Sequence, residues 1–257
     1  MYVFALCVGV ASSCFGLASS HHTFNDDAAL SRFKNGFEQA GLVPDLLPAF
    51  NPQGTLNIHL SDGKVLHHPG LSILTRDIQV CPEFQLYPGR TGQLNPADTL
   101  TLMMLDPDSP THSNPSGAKL HLLATAIALD RYPDPVENYK LVNRTRFVVD
   151  WLPPAPGPQT GIHRYAFLLY KGVPSQESVQ PFQDAAFNRS GFNLTQFTRT
   201  AGIQDPYAGT FLTIDSALPE NVIKQNAQGN SASRPFIDAF TLSITTFLSL
   251  LGVTCFF

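Results

Sequence analysis

Short apolar runs separated by turn-forming residues are the feature of this sequence that most limits its possible folds. Pro, Gly and Asn cluster between these runs, no strand–helix–strand alternation appears, and no repeat of about 20 to 50 residues is visible. We therefore expect a mainly β, single-domain fold, an antiparallel β-sandwich with a few peripheral helices. The predicted strands are 56–60, 73–80, 99–105, 120–129, 146–151, 163–171 and 209–215.

Two segments carry a helical pattern instead. Within residues 25–41, Leu30, Phe33 and Phe37 recur at spacings of three and four, which places them on one face of a helix. An Asn at the start and a Gly at the end of this segment suit the two helix caps. A second, shorter helix is predicted over residues 193–202.

The amino-terminal segment differs from the middle of the chain. Residues 2–18 are apolar and uncharged, and they end in small residues before His21. This pattern predicts a secretory signal peptide over residues 1–18, followed by the main domain over 19–215. The alternative is an anchor that is not cleaved.

The carboxyl-terminal segment is also apolar. No charge occurs from Phe240 to the last residue, and small residues at Gly229 and Asn230 precede a short polar spacer. Small residues, a spacer and a hydrophobic tail are typical of a GPI-attachment signal, which we predict over 230–257 with the anchor on Gly229 or Asn230. Residues 216–229 would form a polar stalk. A plain tail-anchoring helix is the alternative.

The cysteines and sequons fit passage through the secretory pathway. Removal of both terminal segments leaves Cys81 alone, so no intrachain disulfide is expected, and its apolar surroundings favour a buried, inert thiol. Acceptor sequons for N-glycosylation occur at Asn143, Asn188 and Asn193. The expected location is the cell surface, GPI-anchored to the plasma membrane.

Charge and motifs exclude several classes of function. The net charge is −4 and no run of Lys or Arg occurs, so nucleic-acid binding is not expected. The chain has no P-loop, no dinucleotide-binding glycine pattern and no G-x-S-x-G or H-E-x-x-H motif. We therefore expect no cofactor and no resident metal.

The first concentration of polar residues lies at 105–121. Asp106 and Asp108 directly follow an apolar strand, in a turn that prolines stiffen, and His121 opens the next strand. The other interpretation of His121 is a core histidine bonded to a backbone carbonyl.

The second concentration lies at 153–172, where a Pro/Gly-rich loop precedes a strand. His163 and Tyr165 should face one side of this strand and Arg164 the other, because strand side chains alternate. A shared polar pocket and a solvated strand edge both remain open.

The two polar segments together carry a resemblance. The sequence DPDSP at 106–110, a strand-opening His, and the later pattern G-P…G-x-H-R-Y-x-F-L-L-Y resemble the phosphatidylethanolamine-binding protein family. Residues 43–60 and 192–215 are similar to that family's opening and closing segments, so the resemblance covers about residues 25–215.

The resemblance implies a β-sandwich with a small anion pocket that accepts phosphoryl head groups. The implied ligand-binding residues are Asp106, Asp108, His121, Pro158, His163 and Tyr165. Imidazole and phenol groups can donate hydrogen bonds to phosphate oxygens, so binding should tighten as the pH falls through about 6.5. Arg164 is expected to bond the turn at 106–110 from the opposite face.

The chain departs from the family in two places. SGAKL at residues 116–120 replaces the usual Arg-Glu-Trp run before the strand-opening His, and the segment between His121 and His163 is longer than the family pattern. The first change removes an aromatic and an acidic residue near the pocket, which affects ligand selectivity.

Three functions are consistent with these residues. The leading hypothesis is a binding module, not an enzyme, for phosphorylated or anionic small ligands such as phospholipid head groups. A protein-interaction or inhibitor domain, with a secreted or vacuolar protease as partner, is the second. The third is a metal-dependent hydrolase that would use Asp106, Asp108, His121 and His163. The terminal signals indicate a surface protein, by analogy a fungal one.

Overall fold

The computed structural model describes residues 27–132, 137–184, 186–203 and 205–218. The predicted signal peptide and the predicted GPI signal lie outside the described residues, as do all but the first three residues of the predicted stalk. In the described ranges, no helix is both long and apolar enough to cross a membrane.

The described strands form one sheet that closes on itself. The strands are β1 (Gly54–His59), β2 (Val65–Leu66), β3 (Leu71–Ser72), β4 (Glu83–Pro88), β5 (Leu100–Asp106), β6 (Lys119–Arg131), β7 (Tyr139–Asn143), β8 (Ile162–Lys171) and β9 (Ala208–Asp215). Their order is β2-β1-β4-β7-β6-β5-β8-β9-β3, and an additional pairing of β1 with β9 closes the sheet.

The pairing of β1 with β9 corrects the expected architecture. The mainly β fold is confirmed, but the strands lie in a single closed, barrel-like sheet and not in the two layers of a sandwich. The closing pair is parallel, with Gly54 opposite Ala208 and Thr55 opposite Gly209. Glycine permits this approach, because a Cβ on Gly54 would lie 2.9 Å from a ring carbon of Tyr207.

The helices are short and peripheral. They are α1 (Asp27–Gln39), α2 (Leu42–Asp45), α3 (Gln176–Val179) and α4 (Leu194–Ala201), with 3₁₀ turns at Thr75–Ile78 and Gln180–Gln183. Both predicted helices are confirmed where the chain is described. Asn193 caps α4, because its Oδ1 accepts a hydrogen bond from the backbone N–H of Gln196 at 2.9 Å.

The core has two parts, one on each face of the sheet. One cluster includes Phe84, Leu122, Tyr165 and Phe167 and contains no residue of α1, α2, α3 or α4. The other packs the sheet against the helices and includes Phe37, Leu42, Leu168, Phe197 and Phe211. Alternate residues of β8 enter both clusters, which explains why its sequence is apolar almost throughout.

Two predicted strands are wrong, and four strands were not predicted, namely the two-residue strands β2 and β3 and the longer strands β4 and β7. Residues 75–78 form a 3₁₀ turn in place of the middle of the strand expected at 73–80. The strand expected at 146–151 is reduced to an isolated bridge between Val149 and Leu123. The missed strands β4 and β7 pair with each other beside β1 and β6.

Candidate functional site

The polar residues meet because of the order of three strands. β5 is hydrogen-bonded to both β6 and β8, and both pairings are antiparallel. The carboxyl end of β5, at Asp106, therefore lies beside the start of β6, which carries His121, and the start of β8, which carries His163. Residues far apart in sequence are brought together at one end of the sheet.

A buried carboxylate–imidazole pair forms the centre of this cluster. Asp106 Oδ2 lies 2.9 Å from His163 Nδ1, and the two residues are 3% and 2% exposed. The other oxygen of Asp106 accepts the backbone N–H of Asp108 at 2.9 Å. The carboxylate therefore fixes both the turn that follows β5 and the orientation of the imidazole.

The second nitrogen of His163 is also occupied. Its Nε2 lies 2.9 Å from Thr160 Oγ1, while the same hydroxyl donates to the carbonyl of Gly157 at 2.7 Å. Because the carboxylate of Asp106 can only accept, Nδ1 of His163 carries the hydrogen of that pair, and Nε2 of the neutral ring has a lone pair that faces the Thr160 hydroxyl. The single hydrogen of the neutral His163 ring is thus used by Asp106, and none is left for a ligand.

His121 has one bonded and one unbonded ring nitrogen. Its Nδ1 lies 2.8 Å from the carbonyl oxygen of Leu152, and since a carbonyl can only accept, Nδ1 carries the hydrogen. In the neutral ring Nε2 then holds a lone pair. This atom is buried and has no hydrogen-bond partner within the described part of the chain.

Burial keeps His121 neutral at physiological pH. Loss of solvent lowers the pKa of His121 to about 4, although the carbonyl of Leu152 and the charge of Asp106 act in the opposite direction. The expectation that both imidazoles donate to a phosphate near neutral pH therefore does not describe this arrangement. His121 is an acceptor there, and His163 donates its hydrogen to Asp106.

Tyr165 lies against both histidines. Its ring centroid is 5.3 Å from that of His121, edge to face, and 6.2 Å from that of His163, nearly parallel. Burial, with the charges of Asp106 and Asp108, raises the pKa of Tyr165 far above its ordinary value, so the phenol keeps its hydrogen. The shared face predicted for His163 and Tyr165 is confirmed, and neither is at a solvated strand edge.

Asp108 lies on the opposite side of the turn. Its carboxylate bonds Arg164 through Nε at 2.9 Å and Nη2 at 2.6 Å, and His112 Nδ1 lies 2.8 Å from Oδ1. Arg164 also forms a salt bridge of 2.9 Å with Asp45. These residues line a groove of about 550 Å³ that is separate from His121. The predicted bond from Arg164 to the turn is present, whereas Asp108 contacts arginine and not the two pocket histidines.

Pro158 is exposed, in the loop that also carries Gly157 and Thr160. Sequence reasoning named Pro158 but missed Thr160 and the carbonyl of Leu152, which are the groups that bond the histidines. A signal for Thr160 existed, since it lies three residues before His163 in a stiff loop. No pattern in the sequence indicates the carbonyl of Leu152.

The described ranges contain no group of three or more His, Cys, Asp or Glu side chains that could hold a metal ion. Of the four residues assigned to a metal site, Asp106 and His163 bond each other and Asp108 bonds Arg164. The arrangement therefore gives the metal-dependent hydrolase hypothesis no coordination site.

The structure thus combines a closed β-sheet with a buried cluster of Asp106, His163 and Tyr165 at one end. Residues 48–213, more than half of the chain, match the family model described as phosphatidylethanolamine-binding protein. The chain belongs to this family.

Individual proteins that resemble the chain share less than a third of its aligned residues. The chain is 28% identical over 173 residues to protein BROTHER of FT and TFL 1 of Arabidopsis thaliana, and the alignment covers 66% of this chain and 85% of that protein. It is 29% identical over 181 residues to the 26 kDa secreted antigen of Toxocara canis, covering 68% of this chain and 62% of that one. The carboxypeptidase Y inhibitor, solved in complex with its cognate proteinase, shares the fold with a TM-score of 0.60 at 20% identity, covering 73% of this chain and 96% of the inhibitor.

Proposed function

We propose that this domain binds small phosphate-bearing ligands in the pocket formed by Asp106, His121, His163 and Tyr165, and that it catalyses no reaction. The observation that carries the proposal is the buried Nε2 of His121, which has no partner among the described residues. An unpaired buried polar atom costs about 1–3 kcal/mol. A ligand that bonds this nitrogen removes that cost.

The surrounding groups suit an anion. The Tyr165 hydroxyl can donate a hydrogen bond, and a rotation of the Thr160 hydroxyl away from Gly157 would make it a second donor. Lys119 and Arg189 supply positive potential at His121, where both oppose protonation of the ring. The carboxylate of Asp106 is bonded to His163 and to the backbone N–H of Asp108.

A hydroxyl, an imidazole and a carboxylate follow one another in Thr160, His163 and Asp106, as they do in many hydrolases. The geometry of these three residues therefore tests whether the domain could be an enzyme. The Gly157 carbonyl lies 2.7 Å from the Thr160 hydroxyl, however, and competes with Nε2 of His163 for its only hydrogen, which weakens the imidazole as a base for this hydroxyl. This competition supports a binding role over catalysis.

The test is isothermal calorimetry of the full-length protein with inorganic phosphate and with phosphoethanolamine. His121→Asn keeps a donor for the Leu152 carbonyl but removes the nitrogen at the Nε2 position, so we expect binding by the parent and its loss in this variant. His59→Asn is the matched control, because His59 bonds Gln85 and belongs to no part of the pocket. Absence of binding by a folded parent overturns the proposal, and inhibition of carboxypeptidase Y would then be the next assay.

We further propose that the domain is displayed on the outer cell surface by a GPI anchor. The support is the pair of terminal sequence patterns, together with exposed side chains at the sequons of Asn188 and Asn193. Release from intact cells by a phosphatidylinositol-specific phospholipase, and a mass decrease after removal of N-glycans, are the expected results. Retention in the cytosol would contradict this location.

A further inference from the structure

The following inference rests on the proposed function and concerns what the pocket selects. We propose that His121 Nε2 accepts a hydrogen bond from the ligand, so that the pocket selects phosphate groups that carry a hydrogen, as in a singly protonated phosphate monoester. A phosphodiester has the same charge but no hydrogen on its phosphate. The pocket would therefore distinguish the two by hydrogen bonding and not by charge.

The backbone fixes which nitrogen of His121 carries the hydrogen. Leu152 bonds His121 twice, because its N–H donates to the carbonyl of His121 at 2.9 Å and its own carbonyl accepts from Nδ1 at 2.8 Å. A ring flip or a change of tautomer would leave the Leu152 carbonyl without its hydrogen. Nε2 is held as the acceptor, 2% exposed with the rest of the residue.

Protonation of Nε2 is opposed by burial and by two positive charges. Lys119 on β6 and Arg189 in the segment before α4 disfavour a second positive charge, whereas the Leu152 carbonyl and Asp106 at the end of β5 favour it. From β8, Tyr165 contributes a neutral ring, with His163 beyond it. Burial is the largest of these effects, and it lowers the pKa of His121 to about 4. Nε2 of His121 therefore keeps its lone pair between about pH 5.5 and about pH 8.

Two simple phosphate esters have the same charge and differ in whether they carry a P–OH group. A phosphate monoester loses its second proton near pH 6, so at about pH 5.5 methyl phosphate is mostly a monoanion with one P–OH group. Dimethyl phosphate is also a monoanion at that pH and has no hydrogen-bond donor. A third probe, 2-aminoethyl methyl phosphate, carries an ammonium donor but no P–OH.

The experiment is calorimetry of the full-length protein with these three probes at about pH 5.5. We expect methyl phosphate to bind at least about tenfold more tightly than dimethyl phosphate, with its affinity falling as the pH rises to about 8 and the P–OH hydrogen is lost. Tight binding of the aminoethyl probe would leave Nε2 as an acceptor, with the ammonium as its partner, but would overturn the selection for a P–OH group. Binding of dimethyl phosphate within about twofold of methyl phosphate overturns this inference alone, whereas no binding of any probe refutes the proposed function with it.

Two further measurements keep the inference independent of one variant's folding. His121→Gln places an amide that can donate a hydrogen bond at the pocket, so the affinity for dimethyl phosphate should come within about threefold of the affinity for methyl phosphate. The control His59→Asn should keep the parent's preference for methyl phosphate. In the parent protein, long-range ¹H–¹⁵N spectra of the histidines should show His121 protonated on Nδ1 only, with and without methyl phosphate. A doubly protonated His121 in the complex would contradict the inference.

Discussion

Arg164 bonds Asp108 through three nitrogen atoms, and together these bonds involve both carboxylate oxygens. The backbone N–H of Arg164 donates at 2.7 Å, Nε at 2.9 Å and Nη2 at 2.6 Å. The remaining terminal nitrogen of Arg164 donates to the carbonyl of Ala40, next to the end of α1. One side chain thus ties β8, the turn after β5 and the first helix together.

Loss of the Asp108 charge should destabilise the protein strongly. In Asp108→Asn the guanidinium stays buried and keeps only the half-exposed Asp45 as a counter-charge, so we expect the free energy of unfolding to fall by about 3 kcal/mol in urea titrations. Asp130→Asn is the control, because Asp130 pairs with Arg144 at an exposed site and should change stability by less than about 1 kcal/mol. Equal effects of the two substitutions would show that burial does not matter here.

The same pair should make stability depend on acid. Burial alone would raise the pKa of Asp108, but hydrogen bonds from Arg164 and His112 outweigh it and hold the pKa below its ordinary value. The stabilisation is therefore present above the unfolded-state pKa of about 3.9 and is lost as the pH falls through the lower folded-state value. The stabilities of the parent and Asp108→Asn should begin to converge only below about pH 4 and should meet below the folded-state pKa of Asp108, and a gap that stays constant would contradict this.

His121 should produce a separate loss of stability at mildly acidic pH. Its folded-state pKa of about 4 lies below the unfolded-state value of 6.5, so the unfolded chain binds the extra proton first as the pH falls. We expect the ligand-free parent to lose about 3 kcal/mol more than His121→Asn between pH 7 and about pH 4. Urea titrations at several pH values measure it, and parallel curves for the two proteins would exclude a buried neutral imidazole.

Two buried tyrosines should respond in opposite directions to the same substitution. The hydroxyl of Tyr170 has no partner among the described residues, so Tyr170→Phe should raise the free energy of unfolding by about 1 kcal/mol. The hydroxyl of Tyr207 donates to the carbonyl of Gly92, so Tyr207→Phe should lower it by about 1 kcal/mol. Thermal unfolding of both variants is the measurement. A loss of stability in Tyr170→Phe would reveal a partner for that hydroxyl.

Thr160 should compete with the ligand for His163. Thr160→Val keeps the side-chain volume but removes the oxygen that lies 2.9 Å from Nε2 of His163, so this nitrogen becomes available to the ligand and we expect inorganic phosphate to bind about fivefold more tightly. Thr101→Val removes a comparable hydroxyl–carbonyl bond, to Gly172, away from the pocket and should leave the affinity unchanged. Weaker binding in Thr160→Val would show that the hydroxyl itself contacts the phosphate.

Patterns along single strands predicted much of the fold and some of the site. Alternation correctly placed His163 and Tyr165 on one face and Arg164 on the other, because burial on both faces of β8 leaves no freedom in register. The alternative interpretation of His121, a core histidine bonded to a carbonyl, is confirmed for Nδ1. The lone pair on its other nitrogen depends on where the loop places Leu152, and local sequence does not encode this.

The wrong elements have physical reasons too. Ile73 and Ile78 are both buried, but their spacing of five residues fits neither a regular strand nor a helix, and the chain crosses it with a 3₁₀ turn. Buried residues do alternate with less buried ones in β4, where Phe84 and Leu86 are buried. The prolines before the strand and at its end, however, favour the prediction of a loop. Closure of the sheet depends on the pairing of Gly54 with Ala208. The residue pattern within a single strand does not predict which distant strand it pairs with.

That closure gives the order of synthesis a consequence. β1 is made early, but its parallel partner β9 is the last strand of the domain, so the barrel cannot be completed until almost the whole domain has left the ribosome. Until then β1 and β8 each present an unpaired edge, of the kind that invites pairing with another chain. A nascent chain of this protein is therefore most exposed to aggregation just before its final strand emerges, and shielding by a chaperone would matter most at that point.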